Sequence, residues 1–332
     1  MSLRVLKQGV FDSIQDSGRY GHQHLGINPS GAMDIIAAGI TNSLAGNNFD
    51  EAVIELHFPA SSFLFNEDGL IALSGADFAA SLNEQEIPIN ASIVVKKNSV
   101  LQFNKIKNGA RCYLAVNGGF EITEWLNSYS TNLKAKVGGF KGRCLKKDDE
   151  MEFKKKTDYS SVLREKTFVL LLQKDDVASF YSSSNIIRIC EGPEYYQLTD
   201  SSKQYLTSTS FSITTQSDRM GFRMTGEPLK LQTQIELVSS AVIEGTIQLF
   251  PDGQFIILMA DHQTTGGYPR IANVISADIP KLSQLFPGAE INFQMVSVEE
   301  AEELLINQVE KLNSFKNEIA SHLKPFLHHA HR

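Results

Sequence analysis

The chain is short of cysteine: among 332 residues there are three, Cys112, Cys144 and Cys190, odd in number and far apart. A disulfide framework needs more of them at closer spacing, so the pattern fits reduced thiols and a cytoplasmic protein. There is no Cys-x-x-Cys or His-x-x-x-His pair, which leaves a zinc site without support. His328, His329 and His331 crowd the end of the sequence and read as a frayed polar tail, not a metal site. No apolar run approaches the roughly 20 residues of a membrane span, and Met1-Ser2-Leu3-Arg4-Val5-Leu6 lacks the apolar core of a signal peptide. Positive charge is also in deficit, 31 Lys and Arg against 38 Asp and Glu, a net charge of -7. That balance disfavours general affinity for nucleic acid or anionic membrane.

Several catalytic signatures are missing as well. No Gly-x-x-x-x-Gly-Lys-Ser/Thr phosphate loop occurs, and Gly138-Gly139-Phe140-Lys141-Gly142-Arg143 has the wrong spacing and is expected to form a turn. Neither a Gly-x-Ser-x-Gly elbow nor a Met-Lys-Met biotin attachment site is present. ATP or biotin chemistry would therefore need help from other chains.

What is present is a mainly β pattern. With 42% apolar and 21% charged residues, the composition is that of a globular protein long enough for two domains. Brief apolar runs at 52–56, 71–74, 92–95 and 112–116 are separated by turn residues, as in a sandwich or barrel. One helix is expected after Pro29-Ser30-Gly31-Ala32-Met33-Asp34, from Ile36, Ile40 and Leu44 at helical spacing, with Ser30 as cap and Gly46 as stop. Residues 146–166, dense in charge, read as the start of a connection between halves.

The halves echo one another. Arg19-x-Gly21-x-x-x-x-Gly26 matches Arg219-x-Gly221-x-x-x-x-Gly226, with Gln15 and Asp16 before the first and Gln216 and Asp218 before the second. Ala52-Val53-Ile54-Glu55 matches Ala241-Val242-Ile243-Glu244, and the strand and acid at 71–77 answer to 256–261. Three matches in one order predict a duplicated domain: residues 1–160, then 161–297, then a helix over 298–325. Ser297 and Glu300 form a capping box for that helix, Leu305, Val309, Leu312, Ile319 and Leu323 its apolar stripe, and Pro325 its end.

The stretch 259–270 concentrates the chemistry. After the apolar run Phe255-Ile256-Ile257-Leu258-Met259, it places an acid, an imidazole, an amide, two hydroxyls, two glycines and a phenol in eight positions. A strand end opening into such a loop can present a site on a rigid scaffold. His262 beside Asp261 could move a proton near neutral pH. Arg19 and Arg219 could each grip a carboxylate or phosphate, or brace a loop through Asp16 and Asp218; ligand contact is expected of Arg219. Asp34 fits a helix-start carboxylate better than a base.

Gln15-Asp16-Ser17-Gly18-Arg19, Pro29 through Asp34, Ser74-Gly75-Ala76-Asp77, Leu114-Ala115-Val116-Asn117-Gly118-Gly119, Ser217-Asp218-Arg219-Met220-Gly221 and Asp261 through Pro269 together resemble the biotin-dependent carboxyltransferase family. Members of that family are also called allophanate hydrolase subunit 2 or the C-type subunit of 5-oxoprolinase, and they include the antagonist of a sporulation-kinase inhibitor. The resemblance spans residues 3–296 and implies two tandem cyclophilin-like β-barrel domains. It further implies one component of an ATP-dependent 5-oxoprolinase complex that opens 5-oxoproline to glutamate. The implied partners are a second cyclophilin-like, inhibitor-like subunit of the B type and a barrel-type subunit of the A type, with ATP and Mg shared among them. The expected catalytic residues are Asp261, His262 and Arg219; the expected binding residues are Thr264, Thr265, Gly266, Gly267, Tyr268, Arg19 and Asp34. Two alternatives stay open. One is the carboxyltransferase part of a urea carboxylase, with biotin supplied in trans; the other is a non-catalytic regulator bound to an inhibitor-like partner.

Overall fold

Short runs of branched and aromatic residues between Gly, Asn and Pro have too few positions for a helix, and they pair as strands. The computed structural model describes residues 1–181, 184–233 and 235–329. The mainly β fold expected is the fold found, in two units followed by a C-terminal helix.

The first unit comprises Met1–Gly18, Asp34–Phe180 and Lys311–Arg332. It holds two six-stranded antiparallel sheets. One is built around Ser2–Lys7, with Glu150–Glu152 on one side and Ser62–Phe65 on the other. The other centres on Gly69–Asp77 paired with Asn108–Val116, Leu73 opposite Leu114. Leu3, Phe63, Phe65, Ile71, Leu73, Phe78 and Phe120 fill a single core. The helix Ile35–Leu44 buries Ile36, Ile40 and Leu44 and ends at Gly46, whose φ of 72° is the left-handed stop expected. Its cap is Asp34, not Ser30: Asp34 Oδ1 accepts the Ala37 N–H at 2.9 Å. Ser30 and Gly31 both have positive φ, a backbone conformation that cannot belong to the helix, so it starts only after Asp34.

The second unit, Arg19–Met33 and Tyr181–Glu310, contains a closed seven-stranded barrel. Its order is Ile186–Glu191, Arg270–Val274, Thr246–Leu249, Phe255–Leu258, Gly221–Thr225, Ser210–Ile213 and Glu290–Met295. A parallel pairing of Ile186–Glu191 with Glu290–Met295 closes it. Phe211, Phe255 and Phe293 pack ring against ring inside, at centroid distances of 4.9–5.9 Å. Met33 is buried in the same core, so the segment Arg19–Met33 groups with this unit although it lies early in the sequence.

Four expectations change in detail. The units divide at Phe180 and Tyr181 instead of near residue 160. Residues 146–166 are not a free connection, because Met151, Tyr159 and Leu163 are buried between their charged neighbours. The repeat matches do not occupy equivalent places: Ile54 is fully buried in a strand, whereas Ile243 is 64% exposed in a loop. Gly21 and Gly26 have positive φ, while Gly221 opens a strand. The terminal helix, Val298–His329, also runs through Pro325; of the histidine tail, His331 lies outside the described residues.

That helix uses its stripe in two ways. Leu312, Phe315, Ile319 and Leu323 are buried in the first unit, where Phe315 meets Phe180 edge-on at 5.5 Å and Lys174 reaches Glu318 at 2.7 Å. Leu305 and Val309 remain 37% and 46% exposed. Ile319→Ala should therefore destabilise the first unit by about 2–4 kcal/mol, and Leu305→Ala by less than about 1 kcal/mol. Trp125, the sole tryptophan, lies in the first unit, so urea titration followed by its fluorescence checks the Ile319 value, and circular dichroism, which sees both units, checks the Leu305 value.

Candidate functional site

The site is assembled by strand register in the second unit. Gly221 pairs with Leu258, so the residues just before the first strand lie beside those just after the second. Arg219 and Met220 thereby meet 259–261: Met259 N–H donates to Met220 O at 3.1 Å and Asp261 N–H to Arg219 O at 2.8 Å. The side chains complete the join. Arg219 Nε donates to Asp261 Oδ2 at 2.9 Å and Nη2 to Oδ1 at 3.2 Å, while Nη2 also reaches the Gly31 carbonyl at 2.6 Å. Asn28 Nδ2 donates to Asp261 O at 2.9 Å. Arg219 is 4% exposed, so this two-pronged pair is shielded from solvent.

Topology explains the length of the loop that follows. Phe255–Leu258 and Arg270–Val274 are both antiparallel to Thr246–Leu249 between them, so they run parallel to each other. The connection must travel back along the barrel, and 259–269 does so over Gln248. On the way Thr265–Gly266 pairs with Ser240–Ala241, and Val242 N–H donates to Thr264 O at 3.1 Å. Gly266 has a steric reason: a Cβ there would lie 2.4 Å from Gln248 Nε2. Beyond the loop, Arg270 forks onto Glu194, Nε to Oε2 at 3.0 Å and Nη2 to Oε1 at 2.8 Å, and holds the carboxyl below the usual carboxylate range.

Two concavities flank Tyr268, whose ring is edge-on to Phe250 at 5.0 Å. The smaller, about 290 Å³, is lined by Gln216, Asp218, Arg223, Gln248, Gln263 and Tyr268 over a floor of Met220, Ile256 and Leu258. The larger, about 820 Å³, is mostly apolar, with Leu229, Leu231, Leu237, Leu249 and Pro269 among its walls. In the smaller pocket Gln263 Nε2 donates to Gln248 Oε1 at 3.1 Å, and the Arg223 guanidinium lies 5.5 Å from the Phe250 ring centre. Asp218 is tied to its own turn, Oδ1 accepting the Met220 N–H at 2.8 Å. Such a pocket offers amide donors and acceptors, one guanidinium and an aromatic edge to a small polar ligand.

The expected site residues separate accordingly. Arg219 performs the bracing part, through Asp261 and not through Asp218. His262 is buried: its Nδ1 faces the Gln263 carbonyl at 2.6 Å, which makes Nδ1 the protonated nitrogen, and burial lowers its pKa. Thr265–Gly266 forms a short strand on the returning loop with Thr264 and Gly267 at its ends, and Tyr268 divides the pockets. Arg19 is buried in the second unit and donates its backbone N–H to Pro29 O at 2.7 Å; Asp34 caps its helix in the first unit. Sequence reading missed Gln248, Arg223 and Phe250. The available signal was Gln248 itself, a polar residue inside the apolar strand Thr246–Leu249.

With this geometry in view, the comparisons with known proteins are decisive. Residues 25–295 match the model of the carboxyltransferase domain, subdomains A and B. The chain belongs to that family. It is 35% identical to the C-type subunit of 5-oxoprolinase from Haemophilus influenzae, over 92% of this chain and 96% of the relative. The Escherichia coli protein of the same description is also 35% identical, over 90% and 93%. The crystal structure of the Kluyveromyces lactis urea carboxylase superposes with a TM-score of 0.85 at 26% identity, covering 95% of this chain and 29% of that one.

The depressed His262 pKa gives a signed pH effect. The unfolded imidazole takes up a proton near its usual value of about 6.5, whereas folded His262 resists until lower pH. The stability it contributes is present above that usual value and is lost as pH falls through the folded pKa. His262→Asn should flatten this part of the acid-side loss, read by denaturant titrations across pH 7 to 5.

Proposed function

We propose that this chain is one component of a 5-oxoprolinase complex and holds the lactam in the small pocket of its second unit. Two relatives that share nearly its whole length are described as C-type subunits of 5-oxoprolinase. The observation that carries the reading is the amide-lined pocket of about 290 Å³ beside the Gly266-Gly267-Tyr268 turn. A lactam presents one N–H, one carbonyl and one carboxylate, which Gln263, Gln216 and Arg223 can meet with acceptors and donors. Arg219, Asp261 and His262 act in this reading by fixing the loop that forms the pocket wall.

Opening a lactam breaks an unstrained amide C–N bond and adds water, and ATP supplies the driving force by phosphorylating the amide oxygen. The residues here do not fit a nucleotide phosphate. The Arg219 fork is filled by Asp261 and Gly31, the Thr265–Gly266 backbone is paired with Ser240–Ala241, and a Cβ at Gly142 would collide with the Lys136 carbonyl, which explains that glycine by its turn. ATP and Mg are accordingly assigned to the partners, a second cyclophilin-like subunit of the B type and a barrel-type subunit of the A type, in the cytoplasm. The likeness to the urea carboxylase favours a second reading, carboxyl transfer to urea with biotin supplied in trans, because urea shares the N–H and carbonyl pattern.

The test is to recover the tagged chain with its native partners and assay 5-oxoproline-dependent ATP hydrolysis. Glutamate and phosphate should form in step. Recovery of partners with no product from 5-oxoproline, but with biotin- and urea-dependent carboxylation, would overturn the reading in favour of the second. Unchanged turnover after every substitution from Asp261 to Tyr268 would leave the chain a binding partner without chemistry.

A further inference from the structure

We infer that Gln248 and Gln263 form an amide pair of fixed polarity that reads a substrate N–H, so that the small pocket selects amides carrying an unsubstituted nitrogen. This rests on the reading of that pocket as the lactam site, and it assigns the recognition to two residues.

The polarity follows from the neighbours. Gln248 is 1% exposed, and its amide has two sides. One faces the Tyr268 carbonyl at 3.5 Å; the other faces Gln263. A carbonyl accepts hydrogen bonds only, so the Gln248 NH2 must face Tyr268, which directs Gln248 Oε1 toward Gln263. Gln263 is then forced to present its own NH2 to Gln248, at 3.1 Å. Its remaining group, the Oε1 acceptor, makes no hydrogen bond to the described residues, and Gln263 lines the pocket. The result is an acceptor whose identity cannot be exchanged for a donor by rotating the amide, because rotation would set Gln263 Oε1 against Gln248 Oε1, and Gln248 could turn to meet it only by placing its own oxygen against the Tyr268 oxygen.

An acceptor locked in this way selects for a ligand N–H. A secondary lactam donates one, and urea donates several; an N-alkylated lactam donates none and leaves Gln263 Oε1 dehydrated and unpaired. Arg223, on the same pocket, supplies the donors for a carbonyl or carboxylate at the other end of the ligand. Gly266 belongs to the same device, since a Cβ there would push the Gln248 amide from its place. Gln263 touches the ligand; Gln248 is a positioning residue.

The experiment compares 5-oxoproline, its N-methyl derivative and urea as ligands of the complex recovered with the full-length tagged chain, by ligand-detected NMR and by inhibition kinetics. Wild type should prefer 5-oxoproline over the N-methyl lactam by about tenfold, the worth of one hydrogen bond to an acceptor that the bound ligand screens from water. Gln263→Met should bring that ratio close to one and raise KM with little change in kcat. Gln248→Met, similar in shape, should lower the ratio as well, because the Gln263 amide is then free to turn. A ratio within one protein does not depend on how much of it is folded, so a folding loss cannot imitate the result. If the complex turns over 5-oxoproline and both variants keep the wild-type ratio, the amide pair is overturned while the lactam reading stands. Binding of urea but not of 5-oxoproline, abolished by Gln263→Met, would keep the amide pair and overturn the lactam reading. Binding of neither would overturn the pair.

Discussion

The second unit depends on one shielded ion pair. Arg219 and Asp261 sit at the ends of adjacent strands, and strand register alone would bring their backbones together. The fork adds what register cannot, a fixed start for a loop that must cross the barrel wall before rejoining the sheet. A buried guanidinium is tolerable only when its donors are met, and here Asp261 and the Gly31 carbonyl meet those of Nε and Nη2. The Gly31 contact also ties the segment Arg19–Met33, distant in sequence, to the same point. Removing either charge would leave the other buried without its partner, the costly direction of such a change.

From that anchored start the remaining features follow in order. His262 packs inward as a neutral imidazole, Thr265–Gly266 gains a strand partner, and Tyr268 emerges against Phe250 between two concavities. Gln248 lies beneath the loop, where it would otherwise be a buried polar side chain in an apolar strand. Its amide is satisfied only because the loop crosses at this height. Scaffold and pocket are therefore coupled: a shift of the loop by one residue would strand Gln248 and dissolve the smaller pocket.

The architecture was legible in sequence because it is written in local patterns. Short apolar runs became strands, Gly46 ended its helix, and Ser297 caps the last one, its Oγ accepting the Glu300 N–H at 3.0 Å. The loop 259–270 was also visible as a concentration of chemistry. What stayed hidden depends on long-range register. No local pattern distinguishes Asp261 from Asp218 as the partner of Arg219, or sends residues 19–33 to the second unit. The correspondence of Ala52–Glu55 with Ala241–Glu244 misled for the same reason, since like sequences took up a buried strand in one case and, in the other, a strand end and turn that expose Ile243. Arg223 and Phe250 carry no motif, and only the folded barrel gathers them around Tyr268.

The most direct measurement is a double-mutant cycle on Arg219→Met and Asp261→Asn, read both as unfolding free energy and as amide hydrogen exchange from Gln263 to Tyr268. The account predicts a coupling of about 2 kcal/mol or more, with exchange across the loop accelerated in each single variant. Additivity to within about 0.5 kcal/mol, with loop exchange unchanged, would contradict it: the loop would then be held by its strand pairing alone, and the ion pair would be incidental.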